Sequence, residues 1–279
     1  MPDDTRASGE PPAACDLAEV CAAWRLQLGR RRHRGRIGAR RGFGPGSSLE
    51  FHDFRDYAPG DDLRHVDWSG YARSDQLRVR LHEAEVAPLV EVLVDDSPSM
   101  AVTGRKLAAL RALVQALCGW ARADGARSRV LALGGGEITA EELAGRGPAA
   151  PSPPAAALHA GSVRVLVTDA LWREGPAALL ARLTGNAARL VCLHLLDATE
   201  REPVGSGPVT LVDCEDGTRI ETRLDRAALA IYAQRLARLC DGLRSLVHGS
   251  GGVFAAVTAD ALPVMCVRDL LPAGVVEPA

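Results

Sequence analysis

Four oxygen-bearing side chains stand close together in the sequence, directly after an apolar run. Residues 89–94 read Leu-Val-Glu-Val-Leu-Val and are followed within five positions by Asp95, Asp96, Ser97 and Ser99. The run is rich in β-branched residues and too short for a helix, which predicts a buried strand. Carboxylate and hydroxyl oxygens are hard ligands of the kind that Mg²⁺ prefers. The pattern therefore indicates a small divalent cation bound at the end of a strand.

A second apolar run ends in a similar way. Residues 163–167 are followed by Thr168 and Asp169, and the carboxyl ends of neighbouring parallel strands meet at one edge of a sheet. We therefore expect Mg²⁺ or a similar divalent cation to be held, directly or through water, by two carboxylates and two hydroxyls, those of Asp95, Ser97, Ser99 and Asp169. Such a ligand set leaves the cation short of negative charge. It predicts a metal-bridged adhesion site that accepts a carboxylate from another molecule.

An enzymatic use of the same acids is the alternative. A strand that ends in Asp resembles the start of phosphotransferases with an aspartyl nucleophile, but those enzymes need a second Asp two residues later, where this chain has Ser97. The GxSxG frame of a serine hydrolase does not surround Ser97 or Ser99. The seven histidines show no metal-ligand spacing, and His194, inside an apolar run, is predicted to be a core residue. A metal-dependent phosphohydrolase stays open as the second hypothesis.

Alternating strands and helices position these candidate residues. Helical spacing predicts helices over 17–28 (capped by Asp16), 106–123, 176–183 and 225–247 (capped by Asp225). Strands are predicted over 77–81, 89–94, 129–133, 163–167, 190–196 and 253–257, with a hairpin over 210–224. The alternation after residue 89 predicts an α/β, doubly wound, mainly parallel sheet in a Rossmann-like three-layer arrangement. The predicted organisation is a disordered tail (1–14), an N-terminal helix and hairpin subdomain (15–85) and the α/β domain (86–279).

Residues 42–73 have an unusual composition. They hold six of the eleven aromatic residues of the chain, together with many acids and arginines. This composition suits a compact structure held by aromatic packing and Arg–carboxylate pairs. It is equally compatible with a docking surface for a partner, whose candidate residues are Arg55, Tyr57, Asp61, Asp62, Arg64, Asp67 and Trp68.

The charge distribution leaves one further alternative open. Arg30 to Arg41 contains seven arginines around two glycines, which suits either a phosphate-binding arm, with nucleic-acid binding as a third functional hypothesis, or a solvated connector. The formal net charge of -2 gives no global attraction to nucleic acid. Lys106 is the only lysine, and we expect this bias toward arginine to reflect codon usage.

Cysteine usage and hydropathy indicate the compartment. The seven cysteines have no CxxC spacing and most lie in apolar runs, which predicts reduced core thiols. The N-terminal residues lack the apolar region of a signal peptide, and no apolar stretch of 18 residues occurs. We therefore expect a cytoplasmic protein with no membrane partner.

Two resemblances follow from these motifs. The sequence Val-Leu-Val-Asp95-Asp-Ser97-Pro-Ser99-Met100, with the later Val-Leu-Val-Thr168-Asp169, resembles the von Willebrand factor A fold and its metal-ion-dependent adhesion site. Ser48 to Arg73, with its Tyr-Ala-Pro-Gly-Asp-Asp-Leu-Arg core, closely resembles the signature of the bacterial family catalogued as domain of unknown function 58.

These resemblances imply a function without catalysis. Members of that family commonly lie beside genes of MoxR-type AAA+ ATPases, which implies an adaptor that works with such an ATPase and a client protein in complex assembly, maturation or remodelling. Two departures stand out. Many members carry membrane helices before the signature, which this chain lacks. The adhesion site also takes a threonine from a loop between the two acidic strands, and Thr139 is the only threonine between residues 133 and 163.

Overall fold

The structure is a computed structural model that describes residues 16–27, 50–61, 63–83, 88–145, 147, 152–172 and 175–279. The chain divides into two compact units, one made of residues 1–29 and 88–279 and the other of residues 30–87. The predicted disordered tail and the arginine run at 30–41 lie outside the described residues. No helix in the described part of the chain is long and apolar enough to cross a membrane.

The helices and strands are numbered in chain order. The helices are α1 (Leu17–Ala23), α2 (Trp68–Ser74), α3 (Gly104–Ala123), α4 (Ala177–Thr184), α5 (Ala198–Arg201), α6 (Arg226–Gly249) and α7 (Leu262–Met265). The strands are β1 (Trp24–Leu26), β2 (Glu50–Asp56), β3 (Arg78–Glu83), β4 (Leu89–Val94), β5 (Arg127–Ala132), β6 (Val163–Thr168), β7 (Arg189–Leu196), β8 (Gly207–Val212), β9 (Arg219–Leu224), β10 (Val253–Thr258) and β11 (Val276–Pro278).

A five-stranded sheet forms the centre of the larger unit. Its strand order is β10-β7-β6-β4-β5, and every neighbouring pair is parallel. Strand β4 lies between β5 and β6, and five of its six residues are buried, as expected for a strand covered on both faces. The predicted α/β class with a mainly parallel sheet is therefore confirmed.

Two apolar cores cover the two faces of this sheet. On one face, the valines of β4 pack with the buried side of α3, with α7 and with α1. On the other face, the leucines of β4, β5 and β6 pack with α4 and the C-terminal part of α6. Because side chains alternate along a strand, each face receives every second residue of β4, so both helical layers are needed to bury it.

On the second face of the sheet, the side chains change in character along the strands. Glu91, Leu93 and Asp95 alternate with the valines of β4 and therefore point to the α4 and α6 side. The β4–β6 register places Arg164 beside Glu91 and Leu166 beside Leu93. A charged row, an apolar row and a polar row thus follow one another toward the carboxyl ends of the strands.

Both chain ends of the larger unit differ from the prediction. Asp16 does cap α1, through a hydrogen bond from Ala18 N at 2.9 Å, but the helix ends at Ala23 and not at residue 28. The chain continues as β1, which pairs antiparallel with β11 at the C-terminus. The predicted helix was too long because Trp24 and Leu26 satisfy helical spacing as well as the alternating burial of a short strand. Residue 28 lies outside the described residues.

The smaller unit contains a hairpin and a short helix. Strands β2 and β3 pair antiparallel with an irregularity between Phe51 and Asp53. The segment between the two strands also pairs with β3, through an isolated β-bridge between Val66 and Val79 and a hydrogen bond from Asp67 N to Arg78 O. Unlike the predicted subdomain over residues 15–85, this unit does not include α1, which packs beside α3 in the larger unit.

Candidate functional site

The carboxyl ends of β4 and β6 bring the four predicted ligand residues to one edge of the sheet. Asp95 N donates to Val167 O at 3.0 Å, which continues the ladder between the two strands past the end of β4. Asp95, Ser97, Ser99 and Asp169 are all buried. These four residues are called the strand-end site below.

The carboxylate of Asp95 is held by three neutral donors. Its Oδ1 accepts from Ser97 N at 3.1 Å, and its Oδ2 accepts from Thr168 Oγ1 and from Trp172 Nε1, both at 2.8 Å. Burial raises the pKa of Asp95, and the charge of Asp169 raises it further, against the effect of these hydrogen bonds. The ionised acid is therefore short of positive charge.

The two serines are fixed by the turn that follows β4. Pro98–Ala101 forms a 3-10 turn with Pro98 in its first position, where a missing N–H does no harm. Met100 N donates to Ser97 O at 3.0 Å, and the Met100 side chain is fully buried in the apolar core. This anchor sets the hydroxyls of Ser97 and Ser99 3.0 Å apart.

Asp169 is paired with a lysine that the motif did not suggest. Lys106 Nζ donates to Asp169 Oδ2 at 2.9 Å, to Glu200 Oε1 at 2.8 Å and to Ser99 O at 3.0 Å, and the lysine is completely buried. The only available signals were that Lys106 is the sole lysine and that it stands four residues before Leu110, on the buried side of α3. Attributing the arginine bias to codon usage left this position without a role.

Asp197, at the end of β7, ties the surrounding helices together. It caps α5 through Thr199 N, and its carboxylate also accepts from Thr103 Oγ1 at 2.9 Å and from the Arg105 guanidinium at 3.0 and 3.1 Å. Burial opposes ionisation, but these hydrogen bonds outweigh it and hold the pKa of Asp197 below its usual range. The N-terminus of α3, which carries Lys106, is therefore fastened to the sheet edge.

The loop expected to supply a third ligand contributes backbone groups. Asp96 Oδ1 accepts from Ala144 N at 2.9 Å and from Gly145 N at 2.8 Å. Gly145 has φ +65°, and a Cβ there would lie 2.4 Å from the Cβ of Ala101, so the close approach requires glycine. The side chain of Thr139 hydrogen-bonds Glu141. In the described part of this loop, no hydroxyl reaches the strand-end site.

A second buried acid lies on the same face of β4, at the other end. The Glu91 row consists of Glu91, Arg129 on β5 and Arg164 on β6, which are direct cross-strand neighbours. Arg129 Nε donates to Glu91 Oε1 at 3.0 Å and Arg164 Nε to Glu91 Oε2 at 3.3 Å. Burial would raise the pKa of Glu91, but hydrogen bonds from Ser162, Arg129 and His159 outweigh it and lower the pKa to about 2.

The comparisons with known proteins concern the first half of the chain. Residues 53–137 match a family model described as "Protein of unknown function DUF58". This match supports the resemblance drawn from the signature. No curated protein matches the chain, and no solved structure does. The DUF58 match spans most of the signature, β4, Asp95 to Ser99 and the whole of α3 with Lys106, and it stops before Asp169.

The predicted docking residues of the DUF58 signature lie in the smaller unit. Trp68 is 54% exposed and meets Tyr71 edge to face, with ring centroids 6.4 Å apart. Asp67 is buried, and Asp61 Oδ2 accepts from Ala58 N at 2.8 Å. Tyr57 is half-buried and Arg64 is exposed. Asp62 and the side chain of Arg55 lie outside the described part of the structure.

The donor chemistry of the strand-end site suits a divalent cation. It offers two hydroxyls and a carboxylate whose pKa is raised by burial and further by the charge of a second acid, and hard oxygen donors of this kind hold Mg²⁺. Within the described residues, no cluster of three or more His, Cys, Asp or Glu side chains forms a metal site. A bound ion would therefore depend on hydroxyls and water for most of its ligands.

One buried histidine contacts the backbone of a site residue and has a packing role. His194 is fully buried in β7, as predicted, and its Nε2 lies 2.8 Å from Asp169 O, which makes Nε2 the donor. Burial lowers the pKa of His194 to about 4. The neutral ring therefore helps to fix the backbone of Asp169.

Proposed function

We propose that this chain is a non-enzymatic protein-interaction module of the von Willebrand factor A type, whose partner docks at the strand-end site. The observation that carries the proposal is the state of Asp95, a buried carboxylate next to a second acid. In the described residues Asp95 meets neutral donors only. A buried acid without a cation is unfavourable for folding, which supports a role in binding an external cation or a cationic complex.

The proposed cofactor is Mg²⁺ or a similar divalent cation. Asp95, Ser97 and Ser99 would hold it, with Asp169 contributing directly or through water. When bound, the ion supplies a Lewis-acidic position that accepts a carboxylate from another protein. Hydroxyl ligands would leave the ion short of negative charge, and the turn at Pro98–Ala101, which has Ser99 and Met100 buried, holds both serines in place.

The proposed partners are a MoxR-type AAA+ ATPase and a client protein, as the family resemblance implies. The smaller unit supplies a second candidate contact surface around Trp68, since exposed aromatic side chains are enriched at protein interfaces. The proposed contact residues are those of the signature, which are Arg55, Tyr57, Asp61, Asp62, Arg64, Asp67 and Trp68.

Affinity capture from the native cell tests this proposal. The tagged chain is used as bait in the wild-type form and as the Asp95→Ala and Glu91→Gln variants, with Mg²⁺ present and with ATP or ADP. We expect an AAA+ ATPase, identified by mass spectrometry, to be retained by the wild type and lost from Asp95→Ala.

Glu91→Gln is the matched control because it changes a buried acid on the same face of β4, away from the strand-end site. A folded Glu91→Gln variant should retain the ATPase. Equal capture by all three baits, or the absence of any AAA+ ATPase from the wild-type sample, would refute the proposed function.

A further inference from the structure

The ammonium group of Lys106 already occupies part of the strand-end site. Its three N–H donors match three acceptors, which are the carboxylates of Asp169 and Glu200 and the backbone oxygen of Ser99. The side chains of Lys106 and Asp169 are both fully buried. A positive charge thus lies between one of the proposed ligand acids and the backbone of one of the proposed ligand serines.

This position is suited to lysine and not to arginine. The chain contains 33 basic Lys and Arg residues, of which only Lys106 is a lysine. An ammonium group is compact and directs its three donors to three separate oxygens, whereas a guanidinium group is planar and wider. Since arginine is used at every other basic position, the lysine here is explained by the geometry of its three acceptors.

Both carboxylate oxygens of Asp169 already accept hydrogen bonds, so a divalent ion would have to compete for them. Asp169 Oδ2 accepts from Lys106, and Asp169 Oδ1 accepts from Leu171 N at 3.2 Å. A divalent ion that used Asp169 would have to displace the ammonium group or bind beside it, and two cations at such short range repel each other.

We infer that Lys106 is a resident cation that competes with a divalent ion for Asp169 and thereby sets how tightly the strand-end site binds Mg²⁺. The inference rests on the divalent-ion site of the proposed function and assigns the control of that site to a residue outside its ligand set. Lys106 acts as a positioning residue, because its charge holds Asp169 and Glu200 in place when no external cation is bound.

Mg²⁺ titration by calorimetry tests the inference with the ion alone. We expect Lys106→Met to bind Mg²⁺ at least about tenfold more tightly than the wild type, because the variant removes the competing charge. Arg129→Met is the matched control, since it removes a half-buried cation from the Glu91 row on the same face of the sheet, and its Mg²⁺ affinity should equal that of the wild type.

Two further measurements protect the test against a folding failure. If Lys106→Met does not fold, the double variant Lys106→Met with Glu200→Gln removes one charge of each sign and should show the same gain in affinity. In the wild type, acylation by an amine-reactive ester reports on Lys106 alone among the side chains, and saturating Mg²⁺ should increase the rate of acylation.

The outcomes separate the inference from the proposed function. Unchanged Mg²⁺ affinity in the folded lysine variant, no Mg²⁺ binding by either protein, or an acylation rate unaffected by saturating Mg²⁺ would each overturn the competition. Tighter Mg²⁺ binding by Lys106→Met with no ATPase captured by the wild type would overturn the proposed function and leave the competition intact.

Discussion

Glu91 and Asp95 lie on the same strand and the same face of the sheet, four residues or about 13 Å apart, and both are buried, at 0% and 1% exposure. Their environments are nevertheless opposite. Arginines from both neighbouring strands contact Glu91, and its pKa is lowered to about 2. Asp95 meets neutral donors and a second acid, and its pKa is raised.

The difference shows that burial alone does not decide what a buried acid does. Desolvation acts on both carboxylates and disfavours the charged form of each. The charges of Arg129 and Arg164 compensate the buried charge of Glu91, so the Glu91 row stabilises the sheet. The carboxylate of Asp95 accepts only from neutral donors in the described residues, and the resident cation of the strand-end site, Lys106, pairs with Asp169. We therefore regard the Glu91 row as structural, and the contrast supports the proposed binding role of the strand-end site.

The largest effect that would test this comparison is the loss of the Glu91 charge. Glu91→Gln leaves the buried Arg164 without its carboxylate, and breaking a buried ion pair from one side lowers the free energy of unfolding by about 3–5 kcal/mol. Urea denaturation at neutral pH measures this change.

An exposed acid provides the control for Glu91→Gln. Glu141 is exposed on the surface, and Glu141→Gln should change the free energy of unfolding by less than about 0.5 kcal/mol. If Glu91→Gln lost no more stability than Glu141→Gln, the Glu91 row would not be structural.

Low pH should remove the stabilisation that the Glu91 charge provides, without a mutation. Because the folded-state pKa of Glu91 lies below its ordinary value of 4.5, its stabilising effect is complete above pH 4.5 and is lost as the pH falls toward 2. The shift corresponds to about 3 kcal/mol. His194, whose pKa falls from 6.5 to about 4, adds a separate loss between those two pH values.

Urea denaturation of the wild type and of Glu91→Gln at a series of acidic pH values separates the contribution of Glu91 from that of His194. Below pH 4.5 the stability of the variant should fall less steeply than that of the wild type. Parallel curves in this window would contradict the assignment to Glu91.

A smaller change is expected at Asp95 than at Glu91. Its raised pKa means that the ionised form is disfavoured in the folded protein, so Asp95→Asn removes an unfavourable charge while it loses one acceptor. In EDTA, urea denaturation should show a loss of no more than about 1 kcal/mol. A loss of stability as large as that of Glu91→Gln would mean that the strand-end site is structural, like the Glu91 row.

Much of the larger unit was predictable because its signals are local. Apolar runs of β-branched residues defined the strands around Asp95 and Asp169, and parallel topology then placed both acids at one edge. The predicted cap at Asp225 and the predicted hairpin over 210–224 were also correct, since each depends on a few adjacent residues.

Other features depend on contacts between distant residues. The pairing of β1 with β11 joins residues 24–26 to residues 276–278, and neither segment shows this partner in its own pattern. Lys106 reaches Asp169, 63 positions away, and a lone lysine on a helix is usually solvated. Likewise, the apolar run around Glu91 predicted a buried strand but did not identify the two arginines that make its burial possible.

The most direct test of the contrast between the Glu91 row and the strand-end site is the effect of Mg²⁺ on thermal stability. The melting temperatures of the wild type, Glu91→Gln and Asp95→Asn are measured with EDTA and with saturating MgCl₂. We expect Mg²⁺ to raise the melting temperature of the wild type and of Glu91→Gln by similar amounts and to leave Asp95→Asn unchanged. An equal rise in all three proteins, or no rise in the wild type, would contradict the assignment of Asp95 to a cation-dependent docking site.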